Sequence, residues 1–184
     1  NLGYFVIVER ISGTDGPLDL IVEPEPELNI IYSYLYNNTH SHDILVTFNN
    51  CNIREIGNCF IFKNNKYVVT TNYTEFREST VFVNIINITN GNTVASFNKI
   101  IDRPLEDPYI VIKDNVAYLY CEDKFDNPFK NICMYKSEDL INFDRINQII
   151  SPSDNSYESQ DVSSPKIIKK NNLYWMLYEG RSKL

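Results

Sequence analysis

One strand–turn–strand pattern occurs three times in this sequence, and it constrains the fold more than any other feature. Each copy has a short apolar strand, a two-residue turn of the Asn-Asn or Asp-Asn type and an aromatic-rich strand; the copies are 59–71, 108–121 and 165–178. Asn and Asp tolerate the left-handed backbone that a two-residue hairpin turn requires. The copies begin roughly fifty to sixty residues apart, which lies within the range for β-propeller blades.

Further strands follow the first two hairpins. Third strands are predicted at 80–86 and 131–135, and fourth, edge-like strands at 94–100 and 144–150. Four antiparallel strands in each repeat are typical of a propeller blade. We therefore predict an all-β chain that forms a single domain, an incomplete β-propeller. Its approximate blades are 1–50, 51–102, 103–152 and, in part, 153–184.

The composition supports a β fold and excludes several classes of partner. The chain has 13 Tyr and 10 Phe, and aromatic residues favour strands. Its formal net charge of −7 predicts no binding to nucleic acid, because such binding needs a basic surface to displace counterions from phosphates. No apolar run is long enough to predict a membrane span. With no Gly-rich phosphate loop and no metal-ligand spacing, we predict neither a cofactor nor a metal ion.

Some cysteines and acidic residues have two interpretations. Cys121 ends one predicted strand and Cys133 begins the next, so the two could face each other across a hairpin; the alternative is buried free thiols. Glu122, Asp123 and Asp126 form a group that could hold a hard cation or contact a sugar. For this group the alternative is a solvated acidic loop.

Three motifs in the second half of the chain carry a resemblance to a known superfamily. They are Leu105-Glu-Asp-Pro-Tyr109, Ser137-Glu-Asp139-Leu and Ser159-Gln-Asp161-Val-Ser-Ser-Pro165. In this order they resemble the five-bladed propeller glycosidases of glycoside hydrolase families 43, 32, 68 and 62. The resemblance covers residues 104–180. It implies a five-bladed propeller, of which this chain would hold about three to three and a half blades.

The resemblance also implies roles for particular residues. Cleavage of a glycosidic bond takes two carboxyl groups, one that donates a proton and one that activates water or attacks directly. Asp107 matches the general base, or the nucleophile of the retaining families. Lys166 stands where these families have an Asp that tunes the acid. Asp161 is the nearest acidic residue upstream and is the second catalytic candidate. The general-acid Glu is expected beyond Leu184.

Plainer interpretations stand beside these roles. Asp107 is also an Asp-Pro turn at the start of a strand, and Asp161 is also a loop acid. Four further residues are predicted to contact the sugar: Tyr109, Lys166, Glu179 and Trp175. Aromatic residues in such repeats also fill the space between blades. Glu179 ends a strand instead of beginning one, so it does not take the role of the general acid.

Two functions from different classes follow. The first is a carbohydrate-active propeller related to glycoside hydrolases, with an incomplete catalytic set in this chain, and the order of the three motifs favours it. The alternative is a non-catalytic glycan-binding or structural propeller, which Lys166 in place of an Asp favours. The predicted partner is an oligo- or polysaccharide. The open sheet edges of an incomplete propeller also predict self-association.

Overall fold

A computed structural model describes residues 4–10, 28–36, 39–48, 53–73, 81–88, 93–97, 105–123, 130–153 and 158–182. Within these ranges the chain forms strands and turns. The described residues contain no helix, and therefore none that is long and apolar enough to cross a membrane. The strands are β1 (Tyr4–Arg10), β2 (Leu28–Tyr36), β3 (Thr39–Phe48), β4 (Ile53–Phe62), β5 (Asn65–Tyr73), β6 (Val81–Asn87), β7 (Thr93–Phe97), β8 (Glu106–Lys113), β9 (Val116–Asp123), β10 (Asn131–Ser137), β11 (Asp144–Ile150), β12 (Asp161–Lys170) and β13 (Leu173–Arg181).

Consecutive strands pair to form four antiparallel sheets. Their strand orders are β1-β2-β3, β4-β5-β6-β7, β11-β10-β9-β8 and β12-β13. The predicted all-β class is confirmed, and four-stranded meanders are consistent with a partial β-propeller. The last strand of the third sheet, β11, has the bounds that the sequence predicts. In the second sheet, β7 begins at Thr93, one residue before the predicted strand.

Two-residue turns join the strands of the three predicted hairpins, and both residues of each turn have the left-handed backbone. The φ angles are 52° and 59° in Asp114-Asn115, and 52° and 61° in Asn171-Asn172. In the first hairpin the turn residues are Lys63-Asn64, with φ angles of 46° and 66°. Asn65 is not part of this turn, because it already pairs with Phe62 in the ladder.

The core includes side chains from the sheets β4–β7 and β8–β11, and it joins the two sheets. Its largest fully buried members in these sheets include Val69, Val83, Ile85, Ile110, Leu119 and Tyr135. Burial of such side chains stabilises the fold by about 1.5 to 3 kcal/mol each. The core therefore fixes β4 relative to β8, the strand that carries Asp107 and Tyr109.

Close contacts also join β4 to β8 directly. A Cβ atom added at Gly57 would lie 2.1 Å from the backbone oxygen of Pro108, so only glycine fits at this crossing. Asn58 follows, and its Oδ1 accepts a hydrogen bond from the Ile110 N–H over 2.7 Å. The Asn58 side-chain Nδ2 donates to the Ile110 oxygen over 2.9 Å. One side chain thus satisfies both backbone groups of a residue in the next sheet.

Cys121 and Cys133 face each other across β9 and β10 as direct ladder partners, as the sequence suggests, and both are buried free thiols. Burial raises the pKa of the Cys133 thiol to about 11 and raises that of Cys121 well above its ordinary value. Both sulfurs are therefore protonated at neutral pH, the unreactive form of cysteine.

Candidate functional site

The strands β4, β8 and β12, called the inner strands here, share one irregularity. In each of them, two consecutive ladder pairs lie three residues apart on the inner strand but only two residues apart on its partner. The inner strand therefore contains one extra residue, which is a β-bulge. The bulges span Ile56–Cys59, Glu106–Tyr109 and Ser163–Lys166. Counted along the bulges, Gly57, Asp107 and Ser164 occupy equivalent positions. A bulge re-aims side chains, and such bulges recur beside functional sites.

Asp107 and Ser164 meet at the junction of β8 and β12. Both have left-handed backbones, with φ angles of 49° and 54°. Such angles are uncommon outside glycine and persist where the surrounding structure holds the backbone. The Ser164 hydroxyl donates a hydrogen bond to Asp107 Oδ2 over 2.7 Å. Asp107 is half-buried.

The backbone of Asp107 is held from the opposite side by β4. Its N–H donates to Glu55 Oε2 over 2.9 Å. The same Glu55 oxygen accepts a hydrogen bond from the Thr71 hydroxyl over 2.8 Å. Asp107 is therefore bonded to both neighbouring inner strands, through its amide to β4 and through its carboxylate to β12.

Tyr109 and Lys166, two of the predicted sugar contacts, lie together. They end the bulges of β8 and β12, and the Lys166 Nζ lies 5.7 Å from the centre of the Tyr109 ring. At that distance an ammonium group is attracted to the face of the ring. Burial raises the pKa of the Tyr109 hydroxyl, so this group stays neutral. Asp107, Tyr109, Ser164 and Lys166 together are called the bulge site below.

Asp161 has different partners. It is buried at the first position of β12, and its Oδ1 accepts a hydrogen bond from the Lys130 N–H over 3.0 Å. The next residue, Val162, donates its N–H to the Lys130 oxygen over 3.2 Å. These contacts tie the start of β12 to the residue that precedes β10. They give Asp161 a structural role in joining two sheets.

Glu179 and Trp175 lie on β13, the second strand of the last hairpin. Glu179 is exposed and pairs with Ser163 in the ladder. Trp175 pairs with Ile168, and 58% of it is exposed. The Trp175 ring therefore presents a flat apolar surface to the solvent.

Glu122 and Asp123 do not form a solvated acidic loop, because they end strand β9 and are buried. Glu122 pairs with Glu106 across the sheet, and the Lys130 ammonium contacts both carboxyl groups. Burial and a hydrogen bond with the Glu106 carboxyl raise the pKa of Glu122 to about 8, although Lys130 opposes this shift. Asp126, the third member of the predicted group, lies outside the described residues. No cluster of metal-ligating side chains occurs within the described ranges.

Two residues that form hydrogen bonds with Asp107 were not predicted from the sequence. Ser164 precedes Pro165 as Asp107 precedes Pro108, so aligning the two Pro residues would have identified it. Glu55 has no comparable signal. It acts across a separation of 52 residues, and nothing in the local pattern of β4 indicates that contact.

No protein-family model matches this chain, and no curated protein matches it in sequence. Its fold is nevertheless similar to solved glycoside hydrolases. The GH32 β-fructofuranosidase BmSUC1 of Bombyx mori aligns with a TM-score of 0.60 and 14% identity, over 98% of this chain and 40% of that one. A mutant of that enzyme in complex with sucrose aligns with the same TM-score and identity, over 99% of this chain and 40% of that one.

A third similar structure is a BT0996 RGII complex, with a TM-score of 0.57 and 11% identity, over 96% of this chain and 64% of that one. The chain thus spans about 40% of the length of the fructofuranosidase. At these identities the likeness concerns the fold. The all-β architecture is consistent with a partial β-propeller.

Proposed function

We propose that this chain is a carbohydrate-active β-propeller related to the five-bladed glycosidases, and that an oligo- or polysaccharide binds at the bulge site. The hydrogen bond between Ser164 and Asp107 carries the proposal, because it joins a carboxylate of one inner strand to a hydroxyl of the next. The fold shared with solved glycoside hydrolases supports it. In this proposal the blades have the bounds 1–50, 51–102, 103–152 and, in part, 153–184. The proposal also includes common ancestry with glycoside hydrolase family 43 or 32.

The chemistry of the bulge site suits a sugar. Asp107 Oδ1 can accept a hydrogen bond from a sugar hydroxyl, and hydrogen bonds to charged groups contribute about 1.5 to 3 kcal/mol. The Lys166 ammonium can donate to ring or hydroxyl oxygens. The Tyr109 ring offers an apolar face against which the C–H face of a pyranose or furanose can pack. Small-ligand sites usually combine an apolar or aromatic lining with a small number of polar groups, as this site does.

The proposal includes an incomplete catalytic set in the part of the chain that the structure describes. Hydrolysis requires a second carboxyl group across the glycosidic bond from the first. The positions equivalent to Asp107 carry Gly57 and Ser164, and Asp161 is bonded to Lys130 instead. These observations favour the second candidate function, glycan binding without catalysis. Hydrolysis with Asp107 as general base or nucleophile is the first.

Replacement of Asp107 by Asn tests both candidates. Asn tolerates the left-handed backbone, so this variant removes the charge and keeps the conformation. Binding to a glycan array, to sucrose and to RGII would be measured together with sugar release. We expect Asp107→Asn to weaken binding about tenfold, which corresponds to about 1.4 kcal/mol. If the chain is an enzyme, we expect turnover to be lost completely.

Asp114→Asn is the matched control, because Asp114 is exposed, also has a positive φ and lies in a turn where another hairpin has Asn171. It should leave binding and turnover unchanged. Unchanged binding and turnover in Asp107→Asn would contradict the assignment of Asp107. Binding without any sugar release in the wild-type chain would select the non-catalytic candidate.

A further inference from the structure

The left-handed bulge at Asp107 creates a local problem for the backbone. An amide in a bulge is taken out of the regular ladder, and a half-buried N–H without an acceptor is destabilising. Glu55 Oε2 provides the acceptor over 2.9 Å. Thr71, the ladder partner of Glu55, is fully buried and donates to the same oxygen. The Glu55 carboxylate is thus anchored in its own sheet while it reaches the next one.

The bulge of β12 shows that this carboxylate is not a general requirement. Ser164 has nearly the same φ angle as Asp107 and occupies the equivalent position. One residue before the bulge, β4 has Glu55, whereas the corresponding position ahead of the β8 bulge has the buried Leu105. A leucine side chain cannot accept a hydrogen bond from the Ser164 amide. At this position a carboxylate therefore precedes the crossing to Asp107, and an apolar side chain precedes the crossing to Ser164.

We propose that Glu55 is a positioning residue that holds Asp107 in its left-handed conformation and so directs the Asp107 carboxylate to Ser164 and to the ligand. The inference rests on the proposed function, since Asp107 is the ligand-binding carboxylate in it. A non-glycine residue in the left-handed region tends to return to negative φ. Without the acceptor from β4, that return would turn the carboxylate away from the Ser164 hydroxyl.

Two conservative variants separate the reach of Glu55 from its charge. Glu55→Gln keeps the side-chain length and an oxygen acceptor but removes the charge. Glu55→Asp keeps the charge but is one methylene shorter, so its oxygen cannot span the distance to the Asp107 amide. Each variant would be followed by the amide ¹H–¹⁵N resonance of Asp107 and by the affinity for sucrose, measured by calorimetry. Glu138→Asp, at an exposed position, is the matched control for shortening a glutamate.

We expect Glu55→Gln to keep the hydrogen-bonded Asp107 resonance and to change the affinity less than twofold. We expect Glu55→Asp to shift the Asp107 amide proton upfield and to weaken binding about fivefold or more. Glu138→Asp should change neither quantity. An Asp107 resonance that is unchanged in Glu55→Asp would overturn the proposal.

Three other outcomes are equally decisive. An altered resonance with unchanged sucrose affinity would make Glu55 a purely structural residue, which also overturns the proposal. Loss of affinity in Glu55→Gln but not in Glu55→Asp would replace positioning by a requirement for charge, which also overturns the proposal. Absence of sucrose binding in the wild-type chain would count against sucrose as ligand of the proposed function, and the resonance of Asp107 would then decide the positioning alone.

Discussion

The sheets β8–β11 and β12–β13 begin with the same hairpin and the same bulge, yet their side chains are buried to very different extents. Counted from the hairpin turn, Leu119 in β9 corresponds to Met176 in β13, and Tyr118 corresponds to Trp175. Leu119 is fully buried and Met176 is half-buried; Tyr118 is half-buried, whereas Trp175 is largely exposed. The turn and strand residues thus determine the local conformation, and the neighbouring sheet determines the burial.

The largest expected effect is a loss of folding stability when a core side chain is shortened, and it should differ between the two hairpins. Leu119→Ala should lower the free energy of unfolding by about 3 kcal/mol, because it leaves a cavity in a fully buried position. Met176→Ala, at the equivalent position of the last hairpin, should cost about 1 kcal/mol or less. Urea denaturation of both variants, followed by circular dichroism, measures the difference. Equal losses would mean that the two sheets are packed alike, contrary to the structure.

A second expected effect concerns one glutamate in each hairpin. Glu122 and Glu179 occupy equivalent positions, each opposite the residue that begins the bulge. Glu122 is buried with a pKa of about 8, against an ordinary value of 4.5, whereas Glu179 is exposed. Between about pH 4.5 and 8 the folded state therefore holds more protons at Glu122 than the unfolded state. Its contribution to stability is fully present below pH 4.5 and is lost as the pH rises through this window.

Glu122→Gln should remove this pH dependence, since glutamine is neutral at every pH in the window. Relative to the wild-type chain, the variant should gain stability as the pH rises from 4.5 to 8. One pKa unit of difference corresponds to about 1.4 kcal/mol. Thermal or urea unfolding at several pH values measures this difference, with Glu179→Gln as the control at the equivalent exposed position. A relative stability that falls with pH in Glu122→Gln would contradict the raised pKa.

The fold was largely predictable, because its hairpins depend on residues close together in the chain. The turns Asp114-Asn115 and Asn171-Asn172 and the strand β11 follow from local pattern. For the proposed site, the sequence points to a residue only where a motif marks one strand, as at Asp107. The contacts of Asp107 with Glu55 and Ser164 join strands 52 and 57 residues apart. Burial of Glu122 depends on sheet packing, which no local motif of charged residues encodes.

The smallest expected effect on stability is at Trp175. Because it is largely exposed, Trp175→Ser should change the free energy of unfolding by no more than about 0.5 kcal/mol. Tyr118→Ser, at the equivalent half-buried position, should cost about 1 to 2 kcal/mol of lost apolar burial. If the Trp175 ring contacts a sugar as predicted, Trp175→Ser should lower the glycan-array signal while its unfolding curve stays unchanged. Equal destabilisation by the two substitutions would show that the Trp175 ring is packed as the Tyr118 ring is, and would remove the difference between the two hairpins at this position.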